Sequence, residues 1–166
     1  MPFEIPEDLH PDMMPVAWLL GTWAGNGHGQ YPDIENFEFG QELIFTHDGR
    51  PFFHYMSRSW IVDENGETVR DAAIETGFLR PQAEDGGGLE LLLVHNTGIL
   101  ELWYGNVEGA KIELNTDAVV RSKTAREYVA GQRLYGLVEG DLYWTHDMAA
   151  EGHALQNHLA ARLLRR

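Results

Sequence analysis

The chain contains no cysteine. That excludes a disulfide scaffold, thiolate metal sites, all-thiolate iron–sulfur clusters and a cysteine nucleophile. Cations are scarce as well: 12 Lys and Arg stand against 26 Asp and Glu, a formal net charge of -14. An acidic surface of that size keeps a protein soluble and repels phosphate backbones, so nucleic acid is not an expected partner. No apolar run approaches the length of a bilayer span, and no membrane association is expected. The opening MPFEIPEDLHPDMMP lacks the basic stretch of a secretory signal and is rich in proline and acid, so the expected location is the cytoplasm. Serines are few, and neither a Gly-x-Ser-x-Gly elbow nor a His-Glu-x-x-His pattern is present, which argues against serine-hydrolase and zinc readings.

What the sequence has in plenty is glycine (18) and aromatics (5 Trp, 6 Tyr, 7 Phe). Its 166 residues, 43% apolar and 23% charged, fit one domain over residues 1–166 with a sizeable core. Apolar or β-favouring stretches alternate with short turn signals, the pattern of an all-β meander. The candidate strands are Gly21–Gln30, Phe37–Thr46, Phe52–Val62, Thr68–Leu79, Leu89–Asn96, Ile99–Val107, Lys111–Val120, Thr124–Val138 and Leu142–Met148. Between them lie Asp48-Gly49, Asn65-Gly66, Asp85-Gly86-Gly87-Gly88, Thr97-Gly98, Glu108-Gly109 and Glu139-Gly140-Asp141, all suitable turn chemistry. Asp12–Leu20 reads as a short helix or 3₁₀ turn.

The tail His153–Arg166 is open to two readings. With period two, His158, Ala160 and Arg162 share one face, and Leu159, Ala161 and Leu163 the other; as a helix, Leu155, Leu159 and Leu163 align. A long antiparallel sheet either splits into a sandwich or curls into a barrel, and a tenth strand from the tail would close the ring. Leu89–Val94 (LELLLV) is apolar on both faces, which suggests an outer surface covered by a second copy of the chain, a homodimer.

The first strand carries Gly21-Thr22-Trp23-Ala24-Gly25-Asn26-Gly27, a Gly-x-Trp-x-Gly-x-Gly pattern followed by Tyr31-Pro32. Trp23 suits the narrow end of a small barrel, and alternate glycines allow sharp coiling and close approach of a backbone or flat ligand. Together with HDGRP (47–51), ETGFLRP (75–81), HNTGILEL (95–102) and DMAAEGHALQNHLAARL (147–163), this stretch resembles the nitrobindin family from about Val16 to the C-terminus. The resemblance implies a ten-stranded antiparallel up-and-down β-barrel, like the lipocalins and fatty-acid-binding proteins, with a short N-terminal helical turn. It further implies one haem b per chain near the open end, its ferric iron held by a single histidine. The implied partners are nitric oxide and peroxynitrite, the latter isomerised to nitrate.

Eight histidines are present. The family's Leu-Gln-x-His-Leu-x-Ala pattern places the iron ligand at His158, where a lone tail histidine would otherwise read as a solvated side chain. The resemblance also implies that Met148 lines the cavity, and the alternation Leu142, Trp144, His146, Met148 would then turn all four inward. Three positions depart from the family pattern. Asp33 follows Tyr-Pro where Thr is common beside the haem. Ala73 matches a frequent distal histidine. His95 stands in place of Gln, as a replacement donor or a second axial ligand. Arg126 matches a basic residue suited to a haem propionate, or reads as a solvated strand arginine. The competing reading is a non-enzymatic carrier of a fatty acid or another apolar molecule, with Arg58, Arg80, Arg121 or Arg133 recruited to a carboxylate.

Overall fold

Buried and exposed side chains alternate through most strands, as a sheet with one face on a core requires. The computed structural model describes residues 2–166 apart from 83, 85 and 87. Ten strands follow a 3₁₀ helix at Pro11–Leu19: β1 Gly21–Gly29, β2 Phe37–Thr46, β3 Phe53–Val62, β4 Thr68–Gln82, β5 Gly88–His95, β6 Ile99–Glu108, β7 Lys111–Arg121, β8 Tyr128–Val138, β9 Asp141–Ala150 and β10 Gln156–Arg165. Each pairs antiparallel with its neighbour in sequence, and β10 returns to β1 to close the barrel. The expected turn at Asp85–Gly88 includes residues 85 and 87, which lie outside the described residues.

The tail is therefore a strand, which leaves no open edge between first and last strands. In β1, a Cβ on Gly27 would sit 2.5 Å from the Ala160 carbonyl oxygen and 2.5 Å from the tip of the Phe39 ring. The glycines of the Gly-x-Gly run thus give up side chains so that Phe37 and Phe39 can lie across them.

One end of the barrel is shut. Trp23 is fully buried and donates from Nε1 to the Leu19 carbonyl at 2.9 Å. The helix above it buries Met13, Val16, Ala17 and Leu19. It is 3₁₀ because Pro11 and Pro15 remove backbone donors that a longer α-helix would need. Below this plug, Leu43, Phe53, Leu91, Ile112, Leu114, Leu142 and Leu163 fill an apolar layer.

One expectation needs correction. β8 begins at Tyr128, not Thr124, because Ser122 and Ala125 close a turn there, the Ala125 N–H donating to the Ser122 carbonyl at 3.2 Å. β7 and β8 pair only where Lys111–Asn115 faces Gln132–Gly136; above this, the Thr116 hydroxyl accepts from the Gly131 N–H at 3.0 Å and replaces the ladder. Outside the barrel, Phe78, Leu92, Val94, Leu100 and Val120 are exposed on adjoining strands, an apolar face like the one read in LELLLV. Among the described residues no helix is long and apolar enough to cross a membrane.

Candidate functional site

His158 reaches the interior through a bulge. Asn157 faces Asp147 and Leu159 faces His146, so β10 advances two residues where β9 advances one, and His158 is the extra residue. Strict alternation would leave it outside with Ala160 and the exposed Arg162; the bulge re-aims it. Its ring sits edge-on to Tyr31 at 5.5 Å and to Phe37 at 6.1 Å, and 6.2 Å from the ring of His146.

The His158 Nδ1 lies 3.0 Å from the Gln30 carbonyl oxygen. A carbonyl only accepts, so Nδ1 carries the proton and Nε2 presents a lone pair. Burial pushes the His158 pKa down, with the bond to Gln30 partly opposing it, which favours the neutral ring. The phenol of Tyr31 donates to the Met148 carbonyl and accepts from the Ala150 N–H, both at 3.0 Å, and so ties the loop after β1 to the end of β9.

Beneath His158 the interior is polar. Arg133, only 3% exposed, donates through both terminal nitrogens to Glu75 at 2.7 and 2.8 Å and lies between the rings of Trp103 and Trp144. Burial alone would raise the pKa of Glu75, but the Arg133 charge and hydrogen bonds, with His95 and the Tyr55 hydroxyl, hold it well below the usual carboxylate range. The Arg133 Nε–H donates to His146 Nδ1 at 3.2 Å. Burial and the Arg133 charge push the His146 pKa well down, so this ring is neutral and its proton sits on Nε2. Tyr128 donates to Glu101, and His95 completes the layer.

The expected site residues scatter around this core. Met148 is half-buried and continues the inward row of Leu142, Trp144 and His146. Asp33 turns outward, its side chain 82% exposed, and accepts from His153 at 2.8 Å. Ala73 is exposed on β4, and its carbonyl accepts from the Ser59 hydroxyl. Arg126 is an exposed loop residue, not a strand residue, with no salt bridge among the described residues. His95 is unsuited to be a second axial ligand, because Nε2 contacts Glu101 and Nδ1 lies 3.3 Å from Glu75. Glu75 and Glu101 lie within the stretches ETGFLRP and HNTGILEL without a role read for either, and Tyr128 lies outside every quoted motif. The available signal is a charge at an inward position of an alternating strand, as with Glu101 between buried Ile99 and Trp103.

Comparison with known proteins assigns this architecture. The model of the THAP4-like, heme-binding beta-barrel domain matches residues 12–165. The chain belongs to this family. Within it, a protein named peroxynitrite isomerase from Nocardioides sp. is 64% identical over 165 residues, 99% of each chain. A ferric nitrobindin-like protein from Cutibacterium acnes is 46% identical over 166 residues, again 99% of each. The crystal structure of Rv2717c from M. tuberculosis superposes with a TM-score of 0.85 at 38% identity, covering 95% of this chain and 99% of that one.

The residues present fit the family's heme. Among the described residues no three His, Asp or Glu side chains gather to hold a bare metal ion. A single neutral imidazole whose Nε2 has no partner among the described residues, walled by Phe37 and Tyr31, suits a metal whose other ligands come from a macrocycle. The oriented Nδ1–H to a backbone carbonyl is the usual support of a ligating histidine.

Proposed function

We propose that this chain, as one domain over residues 1–166, binds one ferric haem b with His158 as its axial ligand and isomerises peroxynitrite to nitrate. The observation that carries the reading is the His158 ring, turned inward by a bulge with Nδ1–H held by Gln30 and Nε2 unengaged among the described residues. The names of the relatives support the reaction. When bound, a ferric porphyrin held through His158 would supply a Lewis acid for an anionic oxygen.

The chain supplies the rest. Burial keeps His158 neutral, so its lone pair stays available. Phe37, Tyr31 and Met148 wall the mouth and restrict water and the escape of reactants. Gly21, Trp23, Gly25 and Gly27 shape the first strand and the plug that shuts the far end of the barrel. Ala73, exposed on β4, supplies no side-chain donor at the position matched to the family's distal histidine. Arg126 is placed in a loop at the same end, the candidate for a propionate, while Asp33 serves the mouth through its bond to His153. Nitric oxide is a second small ligand of the same site, the exposed apolar face joins two copies, and the protein works in the cytoplasm.

An apolar carrier would need a free buried cation for a carboxylate. The only buried arginine among the described residues, Arg133, already donates to Glu75, Tyr135 and His146. Titration with haemin should produce a Soret band that His158→Ala abolishes or strongly weakens; an unchanged band removes the ligand assignment. Stopped-flow decay of peroxynitrite should be accelerated by the ferric protein and not by the haem-free chain; equal rates remove the reaction and leave the carrier.

A further inference from the structure

The ladder between β7 and β8 stops at Asn115 and Gln132, so Thr116–Arg121 and Tyr128–Gly131 run on toward the mouth without pairing to each other. Each strand bulges against its other neighbour at that level. Leu102 faces Ala118 and Trp103 faces Thr116, which leaves Asp117 as an extra residue in β7. Tyr128 faces Ala150 and Ala130 faces Ala149, which leaves Val129 extra in β8. A bulge bends its strand and raises its twist, so the parting is built into both strands and is not a frayed end. The slit is bounded below by the Thr116 hydroxyl, which accepts from the Gly131 N–H at 3.0 Å, and above by the loop from Ser122 to Glu127. Each lip is fastened to its own side: the Ser122 N–H donates to the Gly98 carbonyl at 2.8 Å, and the Glu127 carboxylate accepts from the Gly152 N–H at 3.0 Å.

A side-chain bond spans the slit from within. The Tyr128 phenol on β8 donates at 2.5 Å to Glu101 on β6, past the intervening β7, and Glu101 is held in turn by His95. On the outer side, Val120 and Val129 are exposed. Behind the Tyr128 ring lies that of His146 at 6.2 Å, which is 6.2 Å from the ring of His158. Trp103 lies under the lower end, its Cη2 2.7 Å from where a Cβ on Gly131 would sit. A stretch of wall that lacks ladder bonds opens at a lower free-energy cost than its fully paired neighbours, and here one phenol–carboxylate bond does the ladder's work.

We infer that the slit between β7 and β8 is a side gate for molecules of a few atoms, latched from inside by the Tyr128–Glu101 hydrogen bond. Breaking that bond frees the Tyr128 ring to swing and uncovers a way to the ring of His146. The inference rests on the proposed function for its purpose: the gate gives a small reactant a route into the interior other than the mouth.

The absence of cysteine makes a selective cross-link possible. Ala118→Cys with Val129→Cys puts a thiol on each exposed lip, and a short bismaleimide joins them. The haem-free chain is labelled with 5-fluorotryptophan, and dissolved dioxygen, small and paramagnetic, is the probe: it broadens the fluorine resonance of any indole it reaches. Trp103 reports on the slit, and Trp60 on β3 is the control. Tyr128→Phe, which removes only the hydroxyl, should raise the dioxygen-dependent broadening of Trp103 by up to about tenfold, the weight of one hydrogen bond to a charged group. The cross-link should lower it below that of the same variant left unbridged, and Trp60 should change in neither case. Trp103 broadening that neither Tyr128→Phe nor the cross-link alters overturns the gate. Equal changes at Trp103 and Trp60 overturn it as well, because they assign Tyr128 to the stability of the whole barrel. None of these readings needs haem. A chain that gives no Soret band therefore fails the proposed function alone, and the fluorine resonances still decide the gate.

Discussion

The Nδ1 of His158 and the carbonyl of Gln30, 3.0 Å apart, join two strands that are also joined by the reverse backbone bond, Gln30 N–H to the His158 carbonyl at 2.9 Å. One pair of residues thus closes the barrel and orients the imidazole. This coupling exists because the β10 bulge places His158 against the end of β1.

Removing the bulge should therefore remove the site and spare the barrel. Deleting Asn157 restores strict alternation in β10, with Leu159, Ala161 and Leu163 still inward and His158 turned outside. The expected outcome is loss of the haemin Soret band, as severe as in His158→Ala, with a far-ultraviolet circular dichroism spectrum close to wild type. A deletion variant that still shows the wild-type band would mean that another residue ligates the iron.

Glu75 offers a pH-dependent readout. Its pKa is depressed in the folded state relative to the unfolded chain, so its contribution is present above the unfolded carboxylate pKa of about 4.3 and is lost as pH falls toward the folded value. Removing one partner of a buried ion pair typically costs about 3–5 kcal/mol. Denaturant unfolding of Glu75→Gln should show a deficit of that order at pH 7, shrinking as pH drops below about 4. A deficit independent of pH would mean that shape, not charge, holds the layer together.

The strand pattern, the turns, the plugging Trp23 and the inward row ending at Met148 were legible in the sequence, because alternation and turn chemistry are local. The tail was not: Leu155, Leu159 and Leu163 satisfy a helix as well as a strand, and only pairing with β1 and β9 decides between them. The inward turn of His158 contradicts the period-two rule, since a bulge leaves no mark in the residues around it. The Arg133–Glu75 pair joins residues far apart in sequence, so neither predicts the other. Arg126 lies in a loop and not on the strand expected over Thr124–Val138, because β7 and β8 part there and pairing, not local composition, sets where β8 begins.

The glycine pattern of β1 makes a sharp prediction. In Gly27→Ala the new methyl meets the Ala160 carbonyl, backbone that cannot move away cheaply, as well as the Phe39 ring. Overpacking of this kind costs about 1–3 kcal/mol. Chemical denaturation should show that loss, and haemin affinity should fall with it because Phe37 and Phe39 shift. A Gly27→Ala variant as stable as wild type would show that β1 and β10 are not held at this separation.

The closed end depends on a clasp between the two ends of the chain. Arg165 lies 4.1 Å from the ring centroids of both Phe3 and Trp23, and it donates to the carbonyls of Leu20 and, at 2.7 Å, of Trp18. Arg165→Met keeps much of the aliphatic bulk but loses the cation–π contacts and both hydrogen bonds, a destabilisation of about 1–3 kcal/mol. The segment before the 3₁₀ helix should then be cut faster by limited proteolysis, while the haemin Soret band, at the opposite end of the barrel, stays as it is. A Soret change without faster proteolysis would show that the plug communicates with His158 through the apolar layer and does not simply cap it.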